Sequence, residues 1–296
     1  MPKTNVALDA TVLSSLMSCA RMVDFRFNQN MVRSDGKSNS LECGSLVHTI
    51  MEFFNKARID GKNRADAIDI GYAAGNEYIR GYHEDNIYIT EPTEKGMLNT
   101  PEEGDSRVTG WAFVFKTMEE YFDYYKNDSF TVIAAEETRK DIIFEDDDIR
   151  ILWKAKFDAI IDTVQGFMST DYKTMKQRRM TQGLNNQFMG QCFLLKSRNM
   201  MVDKIGFQKS LKVHEKFERA IISYSADRIN EFANDVVPYY ARMLAIYNES
   251  GVWPPNFTHC ENKYGTCDYA SVCEHDRNMR EEVLSIEFMK GKVWDV

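Results

Sequence analysis

The sequence has no long hydrophobic run. No uninterrupted apolar stretch in its 296 residues approaches the roughly 20 residues that a membrane-spanning helix needs. The N-terminus also lacks the basic and then apolar order of a secretory signal peptide. These two absences predict a cytoplasmic protein that makes no membrane contact.

The sequence also lacks an excess of positive charge. Its 37 lysines and arginines are outnumbered by 45 aspartates and glutamates, which gives a formal net charge of -8 at pH 7. This balance excludes a protein that coats nucleic acid through its overall charge. It leaves room for a metal site built from carboxylates and for a local basic patch.

A disulfide framework is not expected, because intracellular proteins keep their thiols reduced. Of the six cysteines, Cys260, Cys267 and Cys273 fall within 14 residues of one another. Three thiolates this close indicate a metal, and a fourth ligand is needed to complete a tetrahedral zinc site or an iron–sulfur cube. Cys43 and Cys192 are predicted to be ordinary buried thiols.

Two strands are predicted between Ile149 and Thr174. Apolar residues alternate along the first strand, which is typical of a half-buried strand; they are Ile149, Ile151, Trp153, Ala155, Phe157, Ala159 and Ile161. Gln165 and Gly166 follow as a two-residue turn, because glycine tolerates the positive φ that such turns require. The pattern therefore predicts a β-hairpin.

The predicted hairpin gathers charged side chains on one patch. With Val164 facing Phe167, Asp158 lies opposite Lys173, and Asp171 is the diagonal neighbour of Asp158. Such partners lie within about 5 to 8 Å of each other. Two carboxylates can hold a divalent cation such as magnesium, and a lysine can offset charge that develops on a phosphoryl group. A solvated strand face with a salt bridge is the alternative for an isolated Asp-Xaa-Lys.

The order of these residues resembles the PD-(D/E)XK nuclease superfamily, in its RecB-like exonuclease branch. The resemblance covers Cys43 to about Leu195. Its motifs are a Gly-Xaa-Xaa-Xaa-His helix start that ends at His48, then Asp158, then Asp171-Tyr172-Lys173, then Gln187 in a helix. One departure is Gln191, which stands where the family often has a tyrosine and weakens the prediction that this helix faces DNA.

The resemblance implies an α/β fold with a central mixed β-sheet flanked by helices. The predicted order of elements, helix, three strands, helix, two strands and helix, agrees with that architecture. We expect one nuclease domain over 1–296, in which a catalytic core at 44–224 contains a helical insertion at 64–127. A helix at 225–249 and a tail at 250–296 follow, and the stretch at 82–107 is predicted to be irregular.

The resemblance also implies a magnesium- or manganese-dependent DNA exonuclease in DNA processing, recombination or repair. His48, Asp158 and Asp171 would bind the metal, Lys173 would act as the electrostatic catalyst, and Gln187 would orient water or touch a phosphate. Single-stranded or duplex DNA ends would be the substrate, with a helicase or recombination protein as a partner. If the chain is phage-encoded, it would act in the host cytoplasm.

Further residues near the hairpin are predicted to contribute to this site. The strand predicted at 130–144 carries Glu137, which could supply another carboxylate. Lys176, Arg178 and Arg179 follow Lys173 without any apolar period, and we predict that they contact the phosphate backbone of DNA. A solvated loop is the alternative for this basic run.

The cysteine layout resembles that of RecB-like nucleases, including the CRISPR-associated exonuclease family, in which one cysteine before the core and three after it hold a [4Fe-4S] cluster. Cys19, in a helix predicted over 9–29, is the corresponding fourth ligand. The Cys-Xaa6-Cys-Xaa5-Cys spacing is looser than in those relatives, so zinc stays open as the metal. His259 or His275 could then replace Cys19.

Two other classes of function remain open. One is a catalytically silent module that retains the nuclease fold and binds DNA ends or another protein. The other is a purely structural iron–sulfur or zinc protein, which leaves the acidic patch unexplained. Because Asp158, Asp171 and Lys173 are all present, the sequence favours the enzyme.

Overall fold

The computed structural model describes residues 3–34, 39–85, 111–175, 185–207, 211–262, 265–291 and 293. Its helices are α1 (Ala10–Ser18), α2 (Ala20–Val23), α3 (Asn39–Ile59), α4 (Arg64–Asp85), α5 (Trp111–Tyr124), α6 (Asn186–Leu195), α7 (Val213–Lys216), α8 (Ala226–Glu231), α9 (Val237–Ser250), α10 (Ala270–Glu274) and α11 (Arg280–Glu287). Its strands are β1 (Thr4–Leu8), β2 (Met31–Arg33), β3 (Thr131–Glu145), β4 (Ile149–Thr163), β5 (Gly166–Met175), β6 (Asn199–Gly206), β7 (Phe217–Ser223), β8 (Glu261–Asn262), β9 (Gly265–Thr266) and β10 (Phe288–Lys290).

The predicted α/β class is confirmed, because a six-stranded mixed sheet lies between helices. The strand order is β1-β4-β5-β6-β7, and β3 pairs with β4. The β1–β4 and β5–β6 pairs are parallel, whereas the β3–β4, β4–β5 and β6–β7 pairs are antiparallel. In the part of the chain that is described, no helix is both long and apolar enough to span a membrane.

Strand β4 pairs with three other strands of the sheet, and these pairings occupy different parts of it. β3 follows it along one edge from Arg150 to Asp162. On the other edge, β1 pairs with residues 149–153 and β5 pairs with residues 159–163. These two pairings leave residues 154–158 between them, so a gap in the sheet opens immediately beside Asp158.

Two hydrophobic clusters cover the sheet. One cluster contains residues from α1, α6 and α9 together with Trp153, and the other contains residues from α3, α4 and α5 together with Tyr172. Helix α6 packs directly on Trp153, since a Cβ added at Gly190 would lie 2.3 Å from the indole Nε1. Glycine is therefore required at this close approach.

The hairpin of β4 and β5 is confirmed, but its predicted register is wrong by two residues. Thr163 pairs with Gly166 and Ala159 pairs with Thr170, which places Asp158 beside Asp171 and not opposite Lys173. The cause is the turn. Gly166 has a φ of 94° and already belongs to β5, and the Thr163 hydroxyl accepts a hydrogen bond of 3.1 Å from the Gln165 N–H. The loop residues are thus 164 and 165.

The helix predicted over 9–29 is interrupted at Cys19. Its first part ends at Ser18, and Cys19 has an extended backbone with φ -164° and ψ 118°. The C-terminal tail occupies this break: the Asn256 side chain donates to the Ser18 carbonyl at 2.8 Å, and the Asn256 N–H donates to Cys19 Sγ at 3.3 Å. The break thus directs Cys19 toward the tail.

The tail also packs on the N-terminal segment. Tyr269 stacks on Phe288 at a centroid separation of 5.0 Å and contacts Phe25 at 5.4 Å. The Tyr269 hydroxyl donates to the Met31 carbonyl at 2.6 Å, and β10 pairs with β2. Both ends of the chain therefore share a small apolar cluster.

Candidate active site

The gap in the sheet positions Asp158. Beyond the Ala159–Thr170 pair, the Asp158 carboxylate takes the place of a strand partner, because its Oδ2 accepts the Tyr172 N–H at 2.9 Å. Tyr172 is anchored on the face of the sheet that α3, α4 and α5 cover, where its hydroxyl accepts a hydrogen bond of 3.0 Å from the buried Asn55 side chain. The side chains on either side of Tyr172 consequently point to the opposite face.

Those flanking side chains, Asp171 and Lys173, form a compact group with Gln187. Lys173 Nζ lies 2.8 Å from Asp171 Oδ2, and Gln187 Nε2 donates to Asp171 Oδ1 at 2.7 Å. Lys173 Nζ also donates to Gln187 Oε1 at 3.4 Å. Gln187 lies in the first turn of α6, whose cap Asn185 accepts the Gln187 N–H. The structure thus brings together three residues that the sequence predicted for the site.

His48 joins the site from α3. Its Nδ1 lies 3.5 Å from Asp158 Oδ2. The glycine of the Gly-Xaa-Xaa-Xaa-His motif lets α3 lie close to β5, because a Cβ added at Gly44 would lie 3.2 Å from Thr174 Oγ1. A side chain at this position would require the Thr174 side chain to move by a few tenths of an ångström.

Glu136 is the acidic residue of β3 that faces this site. One ligand atom each from His48, Glu136 and Asp158 lie within 4.8 Å of one another, and among the described residues no other three His, Cys, Asp or Glu side chains come so close. Glu137, which the sequence suggested instead, forms an ion pair of 2.6 Å with Arg139. This group suits a cation, because carboxylate oxygens are ligands of magnesium and imidazole is a ligand of manganese.

An unusual backbone conformation places Glu136 there. Its φ is 52°, in the left-handed region that non-glycine residues rarely occupy within a strand. The side chain is 11% exposed and forms an ion pair with Lys156, whereas the Glu137 side chain is 38% exposed. Such strained conformations concentrate at functional sites. Hydropathy alternation assumes regular strand geometry, so it carried no signal for Glu136.

The pKa values of Asp158 and Asp171 are shifted in opposite directions because the two carboxyl groups have different surroundings. Burial raises the pKa of Asp171 to about 6, because Lys173 only partly compensates for lost hydration and the charge of Asp158 adds to the shift. Burial also acts on Asp158, but His48, the Tyr172 N–H and Lys173 together lower the pKa of this carboxyl. Burial opposes protonation of His48, yet hydrogen bonding and attraction to Asp158 raise the imidazole pKa. Two acids in unlike environments are typical of a catalytic centre.

Gln191, at the position where a tyrosine was expected from the resemblance, is buried and bonds to the backbone of β4. Its side chain is 1% exposed. Its Nε2 donates to the Lys156 carbonyl at 3.0 Å, within the gap between β1 and β5. Gln191 therefore replaces a missing strand neighbour of β4. The basic residues Lys176, Arg178 and Arg179 lie outside the described residues, as does most of the stretch at 82–107.

A second candidate site lies at the break between α1 and α2. Cys19, Cys260, Cys267 and Cys273 line one small cavity, which His259 also lines. Burial raises the pKa of the Cys260 and Cys267 thiols, and the neighbouring sulfurs raise them further. No three of these sulfurs lie within 4.8 Å of one another, as judged over the described residues.

A family model matches most of the chain. A family model described as the PD-(D/E)XK nuclease superfamily matches residues 7–274. No curated protein matches the chain. The crystal structure of SSO0001 is 11% identical with a TM-score of 0.28, and the match covers 44% of this chain and 59% of that one. A "putative exonuclease" from Eubacterium rectale is 16% identical with a TM-score of 0.48, over 90% of this chain and 87% of that one.

Proposed function

We propose that this chain, which belongs to the PD-(D/E)XK nuclease superfamily, is a metal-dependent DNA exonuclease of the RecB-like type. The observation that carries the proposal is the meeting of two groups at the gap in the sheet. One group is His48, Glu136 and Asp158, and the other is Asp171, Lys173 and Gln187. A structural salt bridge would not require a glutamate in a left-handed backbone conformation.

His48, Glu136 and Asp158 are the residues that would hold the cation, with Asp171 as a further ligand. Their fit rests on the chemistry of the donors, because the carboxylates of Glu136 and Asp158 and the imidazole of His48 line a cavity that Lys173 and Lys156 also line. When bound, a magnesium or manganese ion supplies positive charge that polarises the phosphate and makes a nearby water more acidic. The tight packing of α3 on β5 keeps the imidazole in place.

Lys173 would stabilise negative charge on the phosphate during attack. Its Nζ is held by both Asp171 and Gln187, so it is oriented before substrate arrives. Preorganised charge of this kind is more effective than mobile charge, because no reorientation is needed as the reaction proceeds. Gln187 bonds to Asp171 and Lys173 at once, and its role is to orient these two groups relative to each other.

A nuclease assay tests the proposal. End-labelled single-stranded and duplex DNA would be incubated with the protein and magnesium or manganese, with and without a chelator. We expect shortening of the labelled strand that the chelator abolishes. DNA binding without any hydrolysis would instead identify the silent module. If the protein neither bound nor hydrolysed DNA, the nuclease proposal would be wrong.

The neighbouring glutamates of β3 provide a matched pair of variants. We expect Glu136→Gln to lower the metal-dependent rate by at least about tenfold, the smallest loss typical of residues around a metal. The reason is that Glu136 contributes one of three ligand atoms that lie within 4.8 Å of one another. Glu137→Gln, one residue away, should leave the rate unchanged. The rates of both variants would be measured over a series of magnesium concentrations. Impairment of Glu137→Gln in place of Glu136→Gln would show that Glu137 is the metal ligand.

We also propose that Cys19, Cys260, Cys267 and Cys273 hold a [4Fe-4S] cluster. The observation that supports a shared metal is that all four cysteines line one small cavity. Four thiolates can hold an iron–sulfur cube, and a tetrahedral zinc ion is the alternative.

A further inference from the structure

A long groove leads away from the candidate active site on the other side of Lys156. Its volume is about 700 Å³. One wall is the exposed face of α1, with Thr11, Ser14 and Ser18, and the other wall is the β3–β4 ribbon, with Lys154 and Lys156. Gln187 closes the end that is next to Asp171.

The groove and the candidate active site are neighbours. Lys156 lines both cavities, and it forms an ion pair with Glu136 of the candidate metal group. No neighbouring strand covers residues 154–158 on that edge of β4, although the Gln191 side chain donates to the Lys156 carbonyl there. A polymer bound at Asp158 would therefore pass Lys156 to enter the groove.

The groove has the chemistry of a phosphate backbone site. Hydroxyl groups of serine and threonine, amide groups of Asn185 and Gln187, and two ammonium groups line it. These are the groups that proteins use to contact phosphates and sugars. The carboxylate of Asp9 also lines the groove, but it accepts the backbone N–H groups of Thr11 and Val12 at 2.7 and 2.8 Å, so the helix N-terminus offsets its charge.

The size of the groove favours a single strand over a duplex. Its volume falls within the range of about 300 to 1,000 Å³ that is typical of pockets enclosing small ligands, which accommodates a few nucleotides but no duplex. No aromatic side chain lines the groove among the described residues. These residues therefore offer bases no stacking platform, and contacts made only to the backbone do not depend on sequence.

We propose that this groove binds the single-stranded DNA that continues from the scissile phosphate, with Lys154 and Lys156 contacting its phosphates. The inference rests on the proposed nuclease function and specifies its substrate. A strand held along β4 would present successive phosphates to the group around Asp158. This assigns α1, which lies outside the hairpin that carries the predicted catalytic residues, a direct part in holding the substrate.

Binding measured without catalysis tests the groove. Fluorescence anisotropy of a labelled oligothymidylate in the presence of a chelator would compare the native protein with Lys154→Ala and Ser14→Trp. We expect Lys154→Ala to weaken binding by about fivefold, the upper range for an exposed ion pair, and to reduce the salt slope by about 0.7. Ser14→Trp should weaken binding with an unchanged slope, because it fills the groove and removes no charge.

Matched controls separate these effects from general damage. Ser14→Ala removes the same hydroxyl without filling the groove, so it should weaken binding less than Ser14→Trp does. Lys126→Ala removes an exposed charge that is paired with Asp123 at 3.2 Å, and it should bind like the native protein. A closed DNA hairpin without a single-stranded tail should bind Ser14→Trp and the native protein equally. Equal weakening of hairpin and single strand would overturn the assignment to single-stranded DNA.

The outcomes also distinguish this inference from the nuclease proposal. If the native protein hydrolyses DNA while Ser14→Trp and Lys154→Ala bind the single strand normally, the groove is excluded and the nuclease stands. If the native protein neither binds nor hydrolyses DNA, both proposals fail together. Circular dichroism of Ser14→Trp would show whether α1 is retained, which its exposed position leads us to expect.

Discussion

Replacing Lys173 with alanine should lower the rate of DNA hydrolysis by about a hundredfold to a thousandfold, the loss typical when one charge-stabilising group is removed. The Lys173 ammonium is the cation nearest to Asp171 and is held by Gln187. Its removal also takes away a charge that lowers the pKa of Asp171, so the pKa of this acid should rise above about 6. Single-turnover rates with magnesium would measure the loss directly.

Asp158→Ala should produce at least as large a loss, because Asp158 belongs to the candidate metal group and also accepts the Tyr172 N–H. Asp162→Ala is the matched control, since Asp162 is an exposed carboxylate on the same strand, opposite Phe167. The control should keep normal activity. Near-native turnover of folded Lys173→Ala or Asp158→Ala would show that this hairpin is not the active site.

The sequence predicted the faces of the hairpin correctly but not its pairing. Side chains alternate with a period of two, so a slip of two residues leaves every side chain on its original face. Hydropathy could therefore identify β4 and β5 and place Asp158 and Asp171 on a shared patch. It could not detect that Gly166 belongs to β5, because that depends on the hydrogen bonds of the turn at Thr163.

Features that depend on distant segments were not predictable in this way. The gap beside Asp158 exists because β1 and β5 pair with different ends of β4, and β1 precedes β4 by about 140 residues. Glu136 faces the site because its own backbone is in the left-handed region, which no periodic sequence pattern reveals. The break at Cys19 is likewise stabilised by Asn256 from the other end of the chain.

The cysteine cluster shows the opposite case, in which spacing along the sequence was informative. Cys260, Cys267 and Cys273 were predicted to bind one metal because they are close together in the sequence. The resemblance to RecB-like nucleases added Cys19 as the fourth ligand. The structure brings all four to one cavity. The tail also contributes apolar contacts of its own, because Tyr269 and Phe288 pack with Phe25 of the N-terminal segment. A cluster would therefore reinforce a contact that already exists.

Cys19→Ser should remove most of the bound metal and loosen both ends of the chain. We expect native protein purified without oxygen to be brown and to contain about four irons per chain, and the variant to contain less than about one. The reason is that Cys19 is the one ligand from the N-terminal segment, separated from Cys260 by 241 residues in the sequence. A crosslink that closes so long a loop restricts the unfolded chain strongly.

Cys43→Ser is the matched control, because Cys43 is buried between α3 and its neighbours and does not line the metal cavity. It should keep its iron, whereas Cys19→Ser should also be cleaved faster by protease near both termini, since local opening governs such cleavage. Full metal content in Cys19→Ser would exclude Cys19 and indicate His259, which lines the same cavity, as the fourth ligand. About one zinc per chain in the native protein would replace the cube with a tetrahedral site, and the absence of both metals would show that aromatic packing alone joins the two ends.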